Sequence, residues 1–212
     1  FFFSSRRRHT RSSTVSWARD VYKRQGDMQG KNERIILGID PGTNLMGYGV
    51  IRQEANKPEF IGMDVIDLKK SGDHYMKLRT IYESTLVLIE RFLPDEVAIE
   101  SPFYGRNVQS MLKLGRAQGV AIAAAISREV PVFEYAPRKI KLSITGAGNA
   151  SKEQVAGMLA RMFGLDEVPR NLDATDGLAA AVCHFYRREI LRGDSPVKSW
   201  EAYVKNNPGK VK

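Results

Sequence analysis

The apolar positions change period along the chain. Ile35, Ile36, Leu37, Gly38 and Ile39 form an uninterrupted apolar run, the pattern of a strand buried on both faces. Asp40-Pro41-Gly42-Thr43 closes it in a turn, extended structure resumes at 47–51, and 60–66 reads as a third strand. Short connections between the three predict an antiparallel meander. The spacing then lengthens: Leu78, Ile81, Tyr82, Leu86, Ile89 and Phe92 share one helical face, with Pro94 just past its end. Val97-Ala98-Ile99 predicts a short buried strand that delivers Glu100, and 130–133 predicts another. Between them, Asn107 is placed to cap a helix over 107–128, where Gly115 and Gly119 imply close packing, because glycine inside a helix costs about 1 kcal/mol. Ser151 and Gln154 have capping-box spacing and open a helix that stops at Gly164. A last helix starts near Asp173 and passes through Leu178, Val182 and Phe185. Strands first and helices later predict an α/β fold, a mixed sheet of about five strands flanked by helices on both faces.

Composition narrows the class. With 212 residues, 42% hydrophobic and 27% charged, the chain fits one globular domain and excludes wholesale disorder, a collagen-like repeat or a disulfide scaffold. Cys183 stands alone and forms no intramolecular disulfide, which suits a reducing cytoplasm. No run of 18 apolar residues predicts a membrane span. The net charge of +9 points toward nucleic acid, but residues 1–27 carry seven basic and two acidic side chains, leaving 26 and 22 for the rest. The body therefore supports a local basic patch. Residues 1–27 lack periodicity and read as foreign to the fold, resembling translated adapter sequence ahead of a start at Met28, with a natural phosphate-holding arm as the alternative. Residues 28–192 form the expected domain, and 193–212 read as a loose polar tail.

The candidate chemistry lies in the carboxylates. Asp40 ends the first strand, Glu100 ends the fourth, and Asp173 and Asp176 open the final helix. Each also has a plain structural explanation: Asp40 as a turn residue, Glu100 as a strand leaving the core before Pro102, Asp173 as a helix cap with Asp176 favouring the dipole. Joint occurrence at sheet ends favours convergence. Four converging acids repel one another, and bound cations relieve that repulsion. An all-oxygen set without Cys or His favours Mg²⁺ or Mn²⁺ over Zn²⁺.

Five blocks in order, ILGIDPGTNLMGYGVI, AIESPF, LKLGRAQGVAIAAA, VFEYAPRKIKLSITGAGNASKEQVAGML and DATDGLAAAVCH, resemble the bacterial crossover junction endodeoxyribonuclease RuvC family from about Arg34 to Arg188. The resemblance implies an RNase H-like fold, a homodimer, and resolution of four-way Holliday junctions in DNA recombination and repair. It places the catalytic and metal-binding positions on Asp40, Glu100, Asp173 and Asp176. DNA contacts fall on Phe103, Tyr104, Arg138, Lys139 and Lys141, and the RuvA and RuvB branch-migration proteins become partners by family alone. Residues of these types suit hydrolysis with two divalent ions about 4 Å apart, Mg²⁺ with Mn²⁺ as substitute, leaving a 5′-phosphate and a 3′-hydroxyl. Gly146 and Gly148 are expected to leave backbone amides open to phosphate. Phe103 and Tyr104 are placed to stack on bases at the crossover. A two-fold dimer matches the paired cuts that a nearly two-fold junction needs, and the glycine-interrupted helix over 107–128 is a candidate interface.

Two other classes compete. GIDPGT followed by GYGV also resembles the first phosphate loop of the actin, Hsp70 and sugar-kinase superfamily, which would make the chain a phosphotransferase. Its size and the lack of a second glycine-rich loop argue against that. The other is a junction-binding protein that does not cut.

Overall fold

The computed structural model describes residues 33–54, 57–102, 107–167 and 171–192, with side chains as far as residue 187. Candidate residues Phe103 and Tyr104, the N-terminal stretch 1–27 and the tail 193–212 lie outside the described residues.

Five strands form one sheet in the order β3-β2-β1-β4-β5. Strands β1 (Arg34–Pro41), β2 (Leu45–Glu54) and β3 (Lys57–Asp67) make the expected antiparallel meander. Strands β4 (Glu96–Glu100) and β5 (Val132–Tyr135) add in parallel on the other edge of β1. Helices α1 (His74–Phe92) and α2 (Val108–Ile126) cover one face, and α3 (Pro137–Thr145), α4 (Lys152–Phe163) and α5 (Leu172–Arg192) cover the other. This is the RNase H-like mixed sheet implied by the sequence.

The alternation along the central strands assigns each side chain to a layer. Ile36 and Ala98 pack with α3, α4 and α5, whereas Leu37, Ile39, Val97 and Ile99 pack with α1 and α2. Both strands are therefore apolar at consecutive positions, as strands covered on two faces must be.

Helix ends follow the local sequence. Asp73 accepts from the Met76 amide at the start of α1, and Asn107 accepts from the Ser110 amide at the start of α2. The Ser151–Gln154 capping box forms at α4, and Gly164 ends that helix in the left-handed conformation. Strand β5 starts two residues later than the apolar pattern suggests. Val130 still belongs to the close of α2, because its amide donates to the Ala125 carbonyl.

Two features differ from the sequence reading. The segment PRKIKLSIT, where the apolar pattern predicts no element, is helix α3 with Pro137 in its first turn and Ile140 and Ile144 buried. Gly115 and Gly119 do not mark close packing within the chain: a Cβ built on either meets nothing within 4 Å.

A buried polar chain ties the sheet to α5. The Tyr135 hydroxyl lies 2.6 Å from His184 Nδ1, and His184 Nε2 lies 2.9 Å from Glu96, which also faces Arg34 at 3.5 Å. His184 is 2% exposed, and burial together with the Arg34 and Arg187 charges lowers it to about 4. It is neutral at physiological pH, so Nε2–H donates to Glu96 and Nδ1 accepts from Tyr135.

Candidate active site

Asp40 and Glu100 reach the same place through register and alternation. Ile39 pairs with Ile99 across the parallel β1–β4 ladder, so the next residues, Asp40 and Glu100, sit side by side at the strand ends. Two positions on from Gly38 and Ala98, both acids face the α5 layer.

Helix α5 brings the other two acids down onto that end of the sheet. Gly47 is paired with Asp40 on β2, and a Cβ there would stand 1.9 Å from the Asp173 carbonyl oxygen. A Cβ at Gly177 would stand 2.5 Å from the Tyr48 Cα. Backbone meets backbone at these glycines, so the first turn of α5 lies directly on the sheet. The capping role is taken by Asn171, whose Oδ1 accepts from the Asp173 amide at 3.2 Å, and the Asp173 carboxylate is left for other work.

That work involves a residue the sequence reading missed. Lys152 Nζ, at the first position of α4, donates to Asp173 Oδ1 at 3.0 Å and to Asp176 Oδ2. Burial opposes its charge, but the hydrogen bonds to Asp176 and Asp173 outweigh that, so Lys152 holds its proton more tightly than an ordinary lysine. A cation in the first turn of a helix works against the helix dipole, and this misplaced charge was the available signal.

The charges of these acids act on one another at this end of the sheet. Burial, then the charges of Asp176 and Asp173, raise Asp40 to about 7 against relief from Lys152. Burial, then Asp40 and Asp176, raise Glu100 to about 8, opposed by Lys152 and Lys141. Asp176 is also raised, chiefly by burial, with Lys152 pulling the other way. Asp40 and Glu100 line one small pocket of about 150 Å³ with Pro41, Pro102, Leu114 and Gln118.

A half-buried, oxygen-only donor set in excess over its cations fits a hard divalent ion. Among the described residues, however, no three His, Cys, Asp or Glu side chains stand at the spacing of a closed metal site. Asp173 and Asp176 face Lys152 instead, so holding an ion requires them to turn from it. Asp40 and Glu100 would hold such an ion from the sheet, and Asp173 and Asp176 from the helix.

The three basic candidates separate on α3. Lys141 is half-buried and acts electrostatically on Glu100 and Asp176, which places it at the acids. The Lys139 ammonium lies 5.8 Å from the Tyr135 ring centre. The stem of exposed Arg138 lies along Gly148, where a Cβ would stand 2.6 Å from Arg138 Cγ. The expectation of open amides fails at Gly146, which ends α3 with φ of 75° and donates to the Leu142 carbonyl. Gly148 makes room for the arginine stem.

Known proteins are similar to this chain in sequence and fold. Residues 36–184 match the family description "Crossover junction endodeoxyribonuclease RuvC". The RuvC of Christiangramia forsetii is 59% identical over 86% of this chain and 95% of its own, and that of Bacteroides fragilis is 58% identical over 87% and 100%. The structure of Thermus thermophilus RuvC in complex with Holliday junction substrate is similar with a TM-score of 0.67 and 34% identity, over 74% of this chain and 96% of that one. RuvC-family nucleases are metal-dependent. The chain is a member of the crossover junction endodeoxyribonuclease RuvC family.

Proposed function

We propose that the protein is an endonuclease that resolves four-way Holliday junctions by metal-dependent hydrolysis, leaving 5′-phosphate and 3′-hydroxyl ends. The observation that carries this reading is the gathering of Asp40, Glu100, Asp173 and Asp176 at one sheet end beside the basic helix α3, in a chain of this family. The phosphotransferase and non-cleaving alternatives are not favoured.

Mg²⁺, two ions per site with Mn²⁺ as substitute, is the cofactor in this reading. When bound, a divalent ion polarises the phosphate and lowers the pKa of its water. The chain supplies the rest. Asp40 and Glu100 present oxygens from the adjacent ends of β1 and β4, and Lys152, which holds Asp173 and Asp176 in the metal-free protein, gives them up to a bound ion. Lys141 offsets the negative field that would otherwise repel DNA, with Arg138 and Lys139 extending the positive surface along α3. Phe103 and Tyr104, following Pro102, are assigned to base stacking on family resemblance.

A homodimer belongs to the same reading and gives α2 a role. Val108, Leu112 and Ile126 are 63%, 51% and 61% exposed on this helix, and Gly115 and Gly119 open to the outside between them. Such an apolar, small-residue stripe suits a two-fold contact between copies, which would present two active sites to a two-fold junction. RuvA and RuvB as partners, a cytoplasmic setting and a nuclease domain spanning 28–192 complete the proposal. Among the described residues, no helix is long and apolar enough to cross a membrane.

The test incubates the protein with a synthetic four-way junction and a matched linear duplex, with and without Mg²⁺, and maps the nicks. Paired, ligatable nicks in opposing junction strands only with Mg²⁺ support the proposal. Equal cutting of the duplex, or an intact junction, refutes it.

A further inference from the structure

A second cleft, of about 420 Å³, opens next to the acids. Leu114 lines both it and the acid pocket, so the two are neighbours across one side chain. Its walls come from three elements: Thr43 and Asn44 in the β1–β2 turn, His74 and Lys77 on α1, and Ser110 and Lys113 on α2.

The chemistry of this lining is opposite to that of the acid pocket. No lining side chain is a carboxylate. Lys77 Nζ donates to the Thr43 carbonyl at 3.0 Å and to Asn44 Oδ1 at 3.2 Å, which fixes its charge against the turn. Those acceptors are neutral, so the charge is not cancelled. Lys113 is exposed and has no ion pair among the described residues. His74 Nε2 is sealed from solvent without a hydrogen-bond partner among the described residues. Two uncancelled lysines, an unpartnered imidazole nitrogen and two hydroxyl groups make a site for an anion with several oxygens.

We propose that this cleft holds a backbone phosphate of the DNA other than the scissile one, and so aligns the strand that runs past the acids. The assignment rests on the nuclease reading above. It also explains how polyanionic DNA approaches an acidic centre: Lys141 holds it on the α3 side and Lys113 with Lys77 on the α1–α2 side.

Lys113→Gln tests this without touching the acids, and Lys113 is exposed, so the fold is retained. Lys57→Gln, in the β2–β3 hairpin at the opposite end of the sheet, is the control. Affinity for a labelled four-way junction is measured across a salt series in full-length protein. The expected result is weaker binding by Lys113→Gln and a slope of log K against log salt shallower by about 0.9 per protomer, with the control unchanged. Lys113→Glu should weaken binding further. An unchanged slope in a Lys113→Gln protein, while the wild type still cuts junctions, overturns the cleft assignment and leaves the nuclease reading standing. A wild type that neither binds nor cuts overturns both. Melting with added inorganic phosphate separates the two sources of phosphate. Stabilisation lost in Lys113→Gln without any change in slope would assign the cleft to a free phosphate compound and overturn its DNA role.

Discussion

Asp40 shows how one carboxyl can be placed for chemistry at a cost in stability. Its folded-state pKa, raised by burial and by Asp176 to about 7, lies above the ordinary value of 3.8. The protonated form therefore contributes stability that is complete below pH 3.8 and is lost as pH rises through 7. Asp40→Asn removes that titration. In metal-free protein, the melting temperature of Asp40→Asn relative to wild type should climb between pH 5 and 8; with Mg²⁺ added, its junction cleavage should fall by about 100-fold or more while binding persists. A constant difference across that range would show that Asp40 is not buried among acids. The places of Asp40 and Glu100 at strand ends and of Asp173 and Asp176 at the start of α5 were legible in the sequence from the apolar pattern. Lys152 was not, since its partners lie 21 and 24 residues away and only the packing of α4 on α5 joins them.

At the level of elements, the site depends on how closely α5 rides on the sheet. Glycine permits that contact at Gly47, beneath the Asp173 carbonyl. Gly47→Ala should lift the first turn of α5, destabilise the protein by about 1–3 kcal/mol and reduce cleavage more than junction binding. Thermal unfolding and nick assays on the same preparation check this, and unchanged values would mean that the helix has room to spare. Long, strongly patterned elements were readable from their period, and Asn107 and Ser151 marked their helix starts. Helix α3 escaped because it has nine residues and only two fully buried positions, Ile140 and Ile144, too few for a period to emerge. Its proline start and glycine stop were the usable signals. Strand β5 was misplaced because Val130 is apolar for the sake of the α2 turn it closes, and periodicity does not separate the two uses.

For the whole molecule, two surfaces carry the account: the acid end flanked by cations, and the exposed stripe on α2. Gly119→Arg places a long charged side chain in open space, so it should leave the monomer folded and shift the protein to monomer in sedimentation, with loss of paired nicks. A dimer that survives would move the interface elsewhere. The glycine spacing on α2 was visible in the sequence, but whether it faced the core or the outside depended on which neighbour the helix packs against. The central claim is that the four acids form one cation-binding centre, and calorimetric titration of Mn²⁺ at pH 7 in buffers of different ionisation enthalpy tests it most directly. With Asp40 and Glu100 raised to about 7 and about 8, Mn²⁺ binding should release protons in the wild type and be lost in Asp40→Asn. Binding without proton release that is equally strong in Asp40→Asn, or no binding at all, would contradict it.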